Sequence, residues 1–334
     1  MFDSTDFESL FSEFRNQKVL IIGDVMIDTY LWGNVGRVSP EAPVPIVSGV
    51  IEENRLGGAA NVALNVKAMG AVPILCSVIG EDHRGKLFLD LMEEQFLTDV
   101  GLVVDEHRVT TQKTRIISGN QHLLRVDEEM DIFLSGRILE QFLELLSDLL
   151  DSGGIDAIIM QDYDKGVLAP RVISEVIAIS ERVGVPVLVD PKFRSFELYK
   201  RVKLFKPNYK ELAHGLNLDI SKHNIEELSI AVQEYQKKQE FDTLMVTLSE
   251  HGVLSASTDG FRHVPAIRRE IADVSGAGDT VISVAALCVI AGLNAEQTTA
   301  ISNLAGGQVC EKAGVVPVNA EKLLAECEEY FNNS

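Results

Sequence analysis

Residues 273–290 read DVSGAGDTVISVAALCVI, in which a Gly-Ala-Gly turn opens into an apolar helix predicted over Asp279–Ile290. Free backbone N–H groups at such a turn point toward one spot, and the helix dipole favours negative charge there. The segment therefore predicts a cradle for a phosphate group, and Asp279 at the helix start is placed to take a proton from an attacking hydroxyl. The alternative is a plain N-cap after a tight turn. The cradle is expected to consist of the amides of Gly276, Ala277 and Gly278.

Short runs of β-branched residues alternate with helical patterns along the rest of the chain. Several of these runs, such as Lys18–Gly23, are apolar nearly throughout, which is typical of strands buried on both faces of a parallel sheet. This alternation predicts an α/β fold with a doubly wound, mostly parallel sheet and helices on both faces. The other predicted strands are Pro73–Gly80, Ala157–Met160, Pro186–Asp190, Lys203–Lys206 and Thr243–Thr247. The other predicted helices are Ala59–Met69, Phe133–Leu150, Arg171–Val183, Ile225–Gln239, Ala295–Cys310 and Ala320–Tyr330.

Two stretches, Val44–Ile51 and Thr111–Val126, have strand patterns that no helix follows. The second contains Ser118-Gly119-Asn120, which suits a hairpin turn. We expect these strands, inserted at about residues 33–56 and 108–127, to form a small β-sheet lid over the active cleft. No linker or internal repeat is evident, so residues 1–334 are predicted to be a single domain with a lid.

The composition limits the classes of partner. The chain has 30 Lys and Arg against 50 Asp and Glu, a net charge of −20. This balance argues against nucleic acid or an anionic membrane as a partner, because both require basic binding faces. The N-terminus lacks the pattern of a signal peptide, and no apolar run approaches the ~18 residues of a membrane helix. A cytoplasmic location is therefore expected. The four widely spaced Cys form no zinc or redox motif.

Two further segments are candidates for ligand binding. Gly57-Gly58-Ala59-Ala60-Asn61 opens another predicted helix, where paired glycines permit close approach of a ligand and Asn61 offers both donors and acceptors to a polyol. A plain loop-to-helix turn is the alternative. Asp28 follows the first strand, at the edge of the sheet where α/β enzymes bind ligands, and it can accept hydrogen bonds from sugar hydroxyls. A solvated loop carboxylate is the alternative there.

With both glycine-rich segments in this order, the chain resembles the pfkB family of ribokinase-like carbohydrate kinases over nearly its full length. Gly57–Asn61 is similar to the N-terminal signature of that family, and Asp273–Asp279 matches its D-x-[ST]-G-A-G-D signature at every defined position. The resemblance implies an ATP-dependent sugar kinase with Mg²⁺ as cofactor and Asp279 as catalytic base. It also implies that the sugar lies against Asp28, Gly57, Gly58 and Asn61. Many family members use K⁺ near the second signature, and the sequence leaves the use of K⁺ open.

The resemblance also implies a nucleotide site. Asn208-Tyr209-Lys210-Glu211 is similar to the N-x-x-E motif of the family, whose Asn and Glu help to place Mg²⁺, water and the nucleotide phosphates. Glu211 is expected to contact Mg²⁺ through water. The segment Thr247-Leu-Ser249-Glu-His-Gly252 stands where the family often has T-x-G-x-x-G, with Ser249 in place of the middle glycine. Both segments are expected to contact ATP.

Four shorter segments resemble the heptose-phosphate kinases of lipopolysaccharide core synthesis. They are Val38–Pro45, Leu56–Ala63, Asp162–Gly166 and Asp190–Lys192. This resemblance implies transfer of the ATP γ-phosphoryl group to the anomeric C1 hydroxyl of D-glycero-β-D-manno-heptose 7-phosphate, which gives the 1,7-bisphosphate. Some relatives carry a C-terminal nucleotidyltransferase domain. Because this chain ends at Ser334, we expect a stand-alone kinase.

An acidic protein that binds a sugar phosphate requires basic groups near its cleft. We expect Lys192 and Arg125 to bind the acceptor, and further candidates are Lys165, Arg115, Arg37 and Arg55. A pfkB kinase of ribose, fructose or a hexose phosphate is the nearest alternative, with the same fold and base. A non-catalytic sugar- or nucleotide-binding sensor is the alternative from another class. The exposed edge of the lid predicts a homodimer.

Overall fold

The computed structural model describes residues 6–119 and 121–332, which form two β-sheets and ten α-helices. The strands are β1 (Lys18–Gly23), β2 (Val25–Val38), β3 (Pro45–Gly58), β4 (Val72–Gly80), β5 (Gly101–Asp105), β6 (Thr111–Ser118), β7 (Gln121–Glu128), β8 (Ala157–Gln161), β9 (Val187–Asp190), β10 (Leu204–Phe205), β11 (Thr243–Thr247), β12 (Val253–Ser257) and β13 (Gly260–Val264). The helices are α1 (Phe7–Phe14), α2 (Ala59–Ala68), α3 (His83–Glu94), α4 (Gly136–Asp151), α5 (Pro170–Val183), α6 (Tyr209–Leu216), α7 (Ile225–Gln239), α8 (Ala277–Ile290), α9 (Ala295–Val309) and α10 (Ala320–Asn332).

The larger sheet has nine strands in the order β13-β12-β11-β10-β9-β8-β1-β4-β5. In this order the strands β11, β10, β9, β8, β1, β4 and β5 are parallel to one another. At the other edge, β12 pairs antiparallel with β11, and β13 pairs antiparallel with β12. The chain runs from β1 outward to β4 and β5, and then returns to β8 on the other side of β1. The predicted doubly wound, mostly parallel sheet is thereby confirmed. The direction of winding changes between β1 and β8, and ligands bind such sheets at this crevice.

Close packing marks this crevice. Gly23 ends β1 opposite Gln161 at the end of β8. A Cβ atom on Gly23 would lie only 2.0 Å from the carbonyl oxygen of Gln161. Since any side chain would force the two strands apart, glycine is required where the strands open into the site.

Helices cover both faces of the sheet, as predicted. Along β1, Val19 and Ile21 enter one hydrophobic core, whereas Leu20 and Ile22 enter the other. The first core is completed by α1, α2, α3, α8, α9 and α10, and the second by α4, α5, α6 and α7. Burial on both faces explains why the strand is apolar without alternation.

The smaller sheet, which we call the lid, has the strand order β3-β2-β6-β7. Strand β2 begins after a single residue, Asp24, so the lid extends N-terminally beyond the predicted range of 33–56. Residues 25–30 are buried at the base of the lid, and the far end of β2 is exposed. The predicted hairpin is present between β6 and β7, and Gly119 in its turn has φ +57°. Asn120, also predicted in that turn, lies outside the described residues.

Other elements differ from the prediction. Helix α4 begins at Gly136 rather than at Phe133, and α1, α3, α6, β5, β12 and β13 were not predicted. Over residues 6–119 and 121–332, no helix is both long enough and apolar enough to cross a membrane.

Candidate active site

Asp279 lies in the first turn of α8, with 3% of its surface exposed. Its Oδ2 accepts a hydrogen bond from the amide of Asn61 at 2.7 Å. Its Oδ1 accepts from the hydroxyl of Tyr163 at 2.7 Å and from the amide of Gln161 at 3.2 Å. Three donors from three segments therefore orient one carboxylate. Because Oδ2 has one donor and Oδ1 has two, Oδ2 is the oxygen with capacity for a substrate hydroxyl.

The surroundings of Asp279 tune its basicity. Burial raises the pKa of its carboxyl to about 6, although the hydrogen bonds from Asn61 and Tyr163 oppose that rise. That value also includes the negative charge of Asp190, which raises the pKa, and the ammonium of Lys206, which lowers it. A carboxylate with a pKa slightly below neutrality is mostly ionised at pH 7 and still accepts a proton readily, as a general base must.

A buried ion pair lies behind Asp279. The ammonium of Lys206 is 3.1 Å from Asp190, with side-chain exposures of 2% and 8%. Gln161 donates to Asp190 at 3.0 Å as well as to Asp279, so it joins the two carboxylates. A Cβ atom on Gly278 would lie 3.5 Å from Nζ of Lys206. A fixed positive charge therefore stands directly beside the predicted phosphate cradle.

The cradle itself depends on glycine geometry. Gly276 has φ +80°, and a Cβ atom there would lie 2.9 Å from Nδ2 of Asn61. The N–H of Ala277 donates to the carbonyl of Val274 at 3.3 Å. Upstream, the carboxylate of Asp273 accepts from the backbone N–H groups of Ser275 and Gly314, both at 3.0 Å, which fixes the turn. Phosphate binding by Gly276, Ala277 and Gly278 stays a prediction.

The predicted sugar residues meet at the base of the lid. Asp28 is buried and forms an ion pair with Arg115 at 2.5 Å. A Cβ atom on Gly57 would lie 2.2 Å from Oδ2 of Asp28, and Gly58, with φ +62°, packs equally closely on the carbonyl of Asp24. Asn61 is fully buried, and its side-chain amide donates a hydrogen bond to Asp279. The structure brings these residues together, and their contacts with sugar stay predictions.

One face of the lid carries basic side chains. The register aligns Asp28 with Lys113 and Arg55, and it aligns Arg115 with Arg125, so these residues share a face. Nζ of Lys113 lies 5.6 Å from the centre of the Tyr163 ring. Burial lowers the pKa of Lys113, and the nearby ammonium of Lys165 lowers it further, against the opposing effect of Asp28.

Two predicted basic contacts lie away from this centre. Arg125 is 58% exposed on its side chain and pairs with Asp127 of the same strand at 2.9 Å. Arg37 is exposed near the far end of β2. Arg55 instead ties the lid to the core by donating to the carbonyl of Val315 at 3.0 Å. Binding of the acceptor by Arg125 stays a prediction.

The predicted nucleotide segments lie side by side. Asn208 caps α6 by accepting from the N–H of Glu211 at 2.9 Å, and Glu211 accepts in return from the N–H of Asn208 at 2.8 Å. Asn208 also forms a parallel bridge with Thr247 at the end of β11. Tyr209 donates its hydroxyl to the carbonyl of Ile220, and Lys210 is exposed.

The loop after β11 keeps a glycine-like backbone despite its serine. Ser249 has φ +55°, in the left-handed region that glycine favours. Gly252 has φ +86°, and a Cβ atom there would lie 2.1 Å from the carbonyl oxygen of Val264. The replacement of glycine by Ser249 is thus accommodated with local backbone strain.

Lys192 connects the nucleotide segment with the catalytic carboxylate. It forms an ion pair with Glu211, and its Nζ lies 5.4 Å from the centre of the Tyr163 ring. Burial lowers the pKa of Lys192, but Asp190, Glu211 and Asp279 outweigh burial, so the pKa is raised overall. Lys192 is therefore cationic, and it lies on the side of the cleft that carries the nucleotide motif.

The donor set fits a nucleotide-borne Mg²⁺ ion. Within residues 6–119 and 121–332, no three acidic, His or Cys side chains cluster so as to hold a metal. Mg²⁺ usually keeps several waters and is held by substrate phosphates together with one or two carboxylates. Glu211, with both oxygens already hydrogen-bonded, suits contact through water.

Sequence reasoning missed Gln161, Tyr163, Lys206 and Asp24. The carboxylate of Asp24 accepts from the N–H groups of Tyr163 at 2.9 Å, Lys165 at 3.0 Å and Val167 at 2.9 Å. A polar residue at the end of an otherwise apolar strand was the available signal for both Gln161 and Lys206.

Comparison with known proteins places this geometry in a family. The profile of the pfkB family carbohydrate kinases matches residues 16–322. The bifunctional protein HldE of Pelobacter propionicus is 36% identical over 323 residues, covering 96% of this chain and 65% of the relative. HldE of Citrifermentans bemidjiense is 38% identical over 320 residues, with coverage of 96% and 65%. The chain thus spans about two thirds of the length of these relatives, and the expectation of a stand-alone kinase stays a prediction.

Solved structures share the fold. Phosphofructokinase-2 of Escherichia coli, in complex with substrates and products, matches with a TM-score of 0.76 and 16% identity over 93% of this chain and 99% of that chain. A ribokinase from Thermotoga maritima matches with a TM-score of 0.68 and 16% identity over 94% and 99%. The ribokinase-like architecture predicted from the sequence is confirmed.

The buried pair of Lys206 and Asp190 generates a stability prediction. Replacing Lys206 with Met leaves a carboxylate unpaired in the interior, so we expect the free energy of unfolding to fall by about 3–5 kcal/mol in urea titrations. Lys203→Met is the matched control, because it breaks an exposed pair with Asp242, and it should cost less than about 1 kcal/mol. Equal losses in the two variants would contradict the prediction.

Proposed function

The chain belongs to the pfkB family of carbohydrate kinases, and on that premise we propose that it phosphorylates the anomeric C1 hydroxyl of D-glycero-β-D-manno-heptose 7-phosphate. ATP donates the γ-phosphoryl group, and the product is the 1,7-bisphosphate, a precursor for the lipopolysaccharide core. The heptose segments at Asp162–Gly166 and Asp190–Lys192 support the choice of acceptor. So does the identity of 36–38% to proteins named HldE.

The observation that carries the proposal is a buried carboxylate beside a helix N-terminus. The acceptor hydroxyl gives its proton to Oδ2 of Asp279 while its oxygen attacks the γ-phosphorus. One O–P bond forms, the bond between the γ-phosphorus and the bridging oxygen breaks, and ADP leaves with that electron pair. Asp279 then returns its proton to solvent. The start of α8, at Gly276–Gly278, faces the transferring group with its partial positive charge.

We assign the remaining charges of the cleft to the phosphates of ATP, including Lys192, which was instead expected from the sequence to bind the acceptor. Lys206 lies beside the cradle, and Lys192 lies between Glu211 and Tyr163. When bound, Mg²⁺ would be held by the phosphates and, through water, by Glu211, and it would neutralise charge on the phosphate oxygens. Phosphoryl transfer depends chiefly on such positioning and charge compensation. Asn208, Thr247, Ser249 and Gly252 then line the nucleotide side.

The acceptor phosphate is assigned to the basic face of the lid. Lys113 of β6 lies close enough to Lys165, in the loop after β8, for the ammonium of Lys165 to lower the pKa of Lys113. Lys165 also forms an ion pair with Glu129 at 3.0 Å. Like charges brought together in a half-buried site favour an anion between them. Arg115, paired with Asp28, adds a third cation. An unphosphorylated sugar can accept hydrogen bonds from these groups but brings no negative charge to compensate them.

A homodimer formed through the outer face of the lid completes the proposal. Leu124 and Val126 of β7 are 57% and 44% exposed, and the register aligns them with Ile116 and Thr114 of β6 on the face opposite Lys113 and Arg115. An exposed apolar sheet face of this kind is typical of a protein–protein contact. The cytoplasmic location expected from the sequence stays a prediction.

Turnover provides the first test of the base. We expect Asp279→Asn to lower kcat by a factor of about 10² to 10⁴, because the acceptor hydroxyl loses its proton acceptor, with ATP affinity nearly unchanged. Asp259→Asn, an exposed position in the β12–β13 turn, should keep wild-type activity.

The assay would offer the heptose 7-phosphate, fructose 6-phosphate, ribose, fructose and adenosine, with and without K⁺, and would locate the new phosphate by ³¹P NMR. Preference for another acceptor would overturn the substrate, and an unimpaired Asp279→Asn variant would overturn the base.

The lid cations can be tested with paired acceptors. Lys113→Met should raise KM for the heptose 7-phosphate by roughly 10- to 100-fold, the scale of a lost charged hydrogen bond, and should leave kcat within a few-fold. With the heptose lacking its phosphate, wild type and variant should have the same KM. Lys113→Arg, which keeps the charge, should recover part of the affinity, and Lys238→Met at an exposed site is the control. Equal effects on both acceptors would contradict the assignment.

The dimer is tested by sedimentation velocity. We expect the wild-type chain to sediment as a dimer and Leu124→Lys to sediment as a monomer of 36.7 kDa, because a charge on the outer face of the lid opposes its burial. Ile230→Lys on α7 is the matched control, since Ile230 is also 57% exposed, and it should leave the dimer intact. A monomeric wild-type chain would exclude the proposed interface.

A further inference from the structure

Tyr163 occupies the centre of the cleft. It follows β8 by two residues, and its ring lies between the lid and the nucleotide segment. Nζ of Lys113 lies 5.6 Å from the ring centre, and Nζ of Lys192 lies 5.4 Å from it. Cations at this distance from an aromatic ring are attracted by its quadrupole. The ring therefore contacts one lysine from each side of the cleft.

The hydroxyl of the same side chain reaches the catalytic carboxylate. It donates to Oδ1 of Asp279 at 2.7 Å, and the backbone N–H of Tyr163 donates to Asp24 at 2.9 Å. Burial and the charge of Asp279 raise the pKa of the Tyr163 phenol well above its ordinary value. The phenol consequently stays protonated at every working pH, and it remains a donor toward Asp279.

Resting on the proposed phosphoryl transfer, we propose that Tyr163 is a positioning residue that holds Asp279 ionised and turned with Oδ2 toward the acceptor. The hydroxyl of Tyr163 and the amide of Gln161 together fill Oδ1. Among the described residues Oδ2 has one donor, Asn61, so Oδ2 is then the oxygen open to a substrate proton. Loss of the phenol hydroxyl leaves Oδ1 with only the longer hydrogen bond from Gln161, weakens the ionised form and lets the carboxylate rotate.

Several elements place charged side chains around Asp279. A variant that tests the hydrogen bond from Tyr163 must leave these charges unchanged. Asp190 at the end of β9 disfavours the ionised form, whereas Lys206 after β10 favours it. Lys192, in the loop after β9, also interacts with Asp279. A Tyr163→Phe variant removes one hydrogen bond to the carboxylate and alters none of these charges. Its ring can still contact Lys113 and Lys192.

The pH dependence of turnover tests this inference. A hydrogen bond to a charged group is worth about one pKa unit or more, so Tyr163→Phe should move the acidic limb of kcat/KM upward by about one unit from the wild-type value near 6. The ionised form is the active base, so the rate loss should be about fivefold at pH 6 and nearly absent at pH 8, apart from a constant orientational loss. A loss that is equal at all pH values would overturn the proposed effect on the base.

Tyr199→Phe is the matched control, because Tyr199 is also a buried tyrosine and donates to another buried carboxylate, Asp162, at 2.9 Å. It should lower stability without moving the acidic limb. An equal shift in both variants would show a general structural effect and would overturn a specific role for Tyr163.

A second readout needs no substrate. The chain labelled with ¹³C at the aspartate carboxyls would be titrated by NMR, with the signal of Asp279 identified by its loss in Asp279→Asn. The midpoint should rise by about one unit in Tyr163→Phe and stay unchanged in Tyr199→Phe. An unchanged midpoint in Tyr163→Phe would overturn the inference even if the kinase is active. Absence of turnover in the wild-type chain would instead count against the proposed function.

Discussion

The hydrogen bonds of Asp24 hold together the three segments that surround the catalytic carboxylate. Its N–H donates to the carbonyl of Gln161 at 3.2 Å, and its carbonyl accepts from Ala59 at 2.9 Å, at the start of the helix that carries Asn61. Its carboxylate accepts three N–H groups from the loop that begins with Tyr163. The three donors to Asp279 are thus positioned relative to one buried residue. A carboxylate bonded to several N–H groups is a rigid anchor, because each bond would have to break for the loop to move.

The larger sheet was predictable because the residue pattern within each strand indicates whether that strand is buried. Lys18–Gly23 is apolar at every buried position, and this pattern holds without knowledge of its neighbours. Strand β12 was missed because Ser255 and Ser257 interrupt its apolar pattern, although Ser255 is buried against the rest of the sheet. The base of β2 was missed for a different reason. Residues 25–30 are buried between core and lid, so they show no alternation and follow β1 after a single residue.

Local motifs predicted Asp279 and the glycines, because a helix start and a tight turn leave their marks within a few residues. Gln161 and Tyr163, the two donors to Asp279 that were missed, are 118 and 116 residues away along the chain, and no local motif links them to Asp279. They meet Asp279 only because parallel strands end at one edge of the sheet. Ser249 illustrates the opposite case, in which the sequence departs from the glycine of the family motif and the backbone nevertheless adopts the left-handed conformation. The residue type at one position indicates which backbone conformation is favoured there, and tertiary packing decides whether the chain adopts that conformation.

The same charges that bind an acceptor phosphate can also exclude the wrong acceptor. Burial lowers the pKa of Lys113, and the positive charge of Lys165 acts in the same direction. Lys165 already forms an ion pair with Glu129 at 3.0 Å, so the charge that an acceptor phosphate would compensate is chiefly that of Lys113. An unphosphorylated sugar brings no negative charge to this ammonium group. Asp279 is only 3% exposed, and this burial already raises the pKa of its carboxyl. On the proposed reaction, acceptor recognition and activation of the base therefore depend on the same physical effect, the burial of charged groups in the cleft.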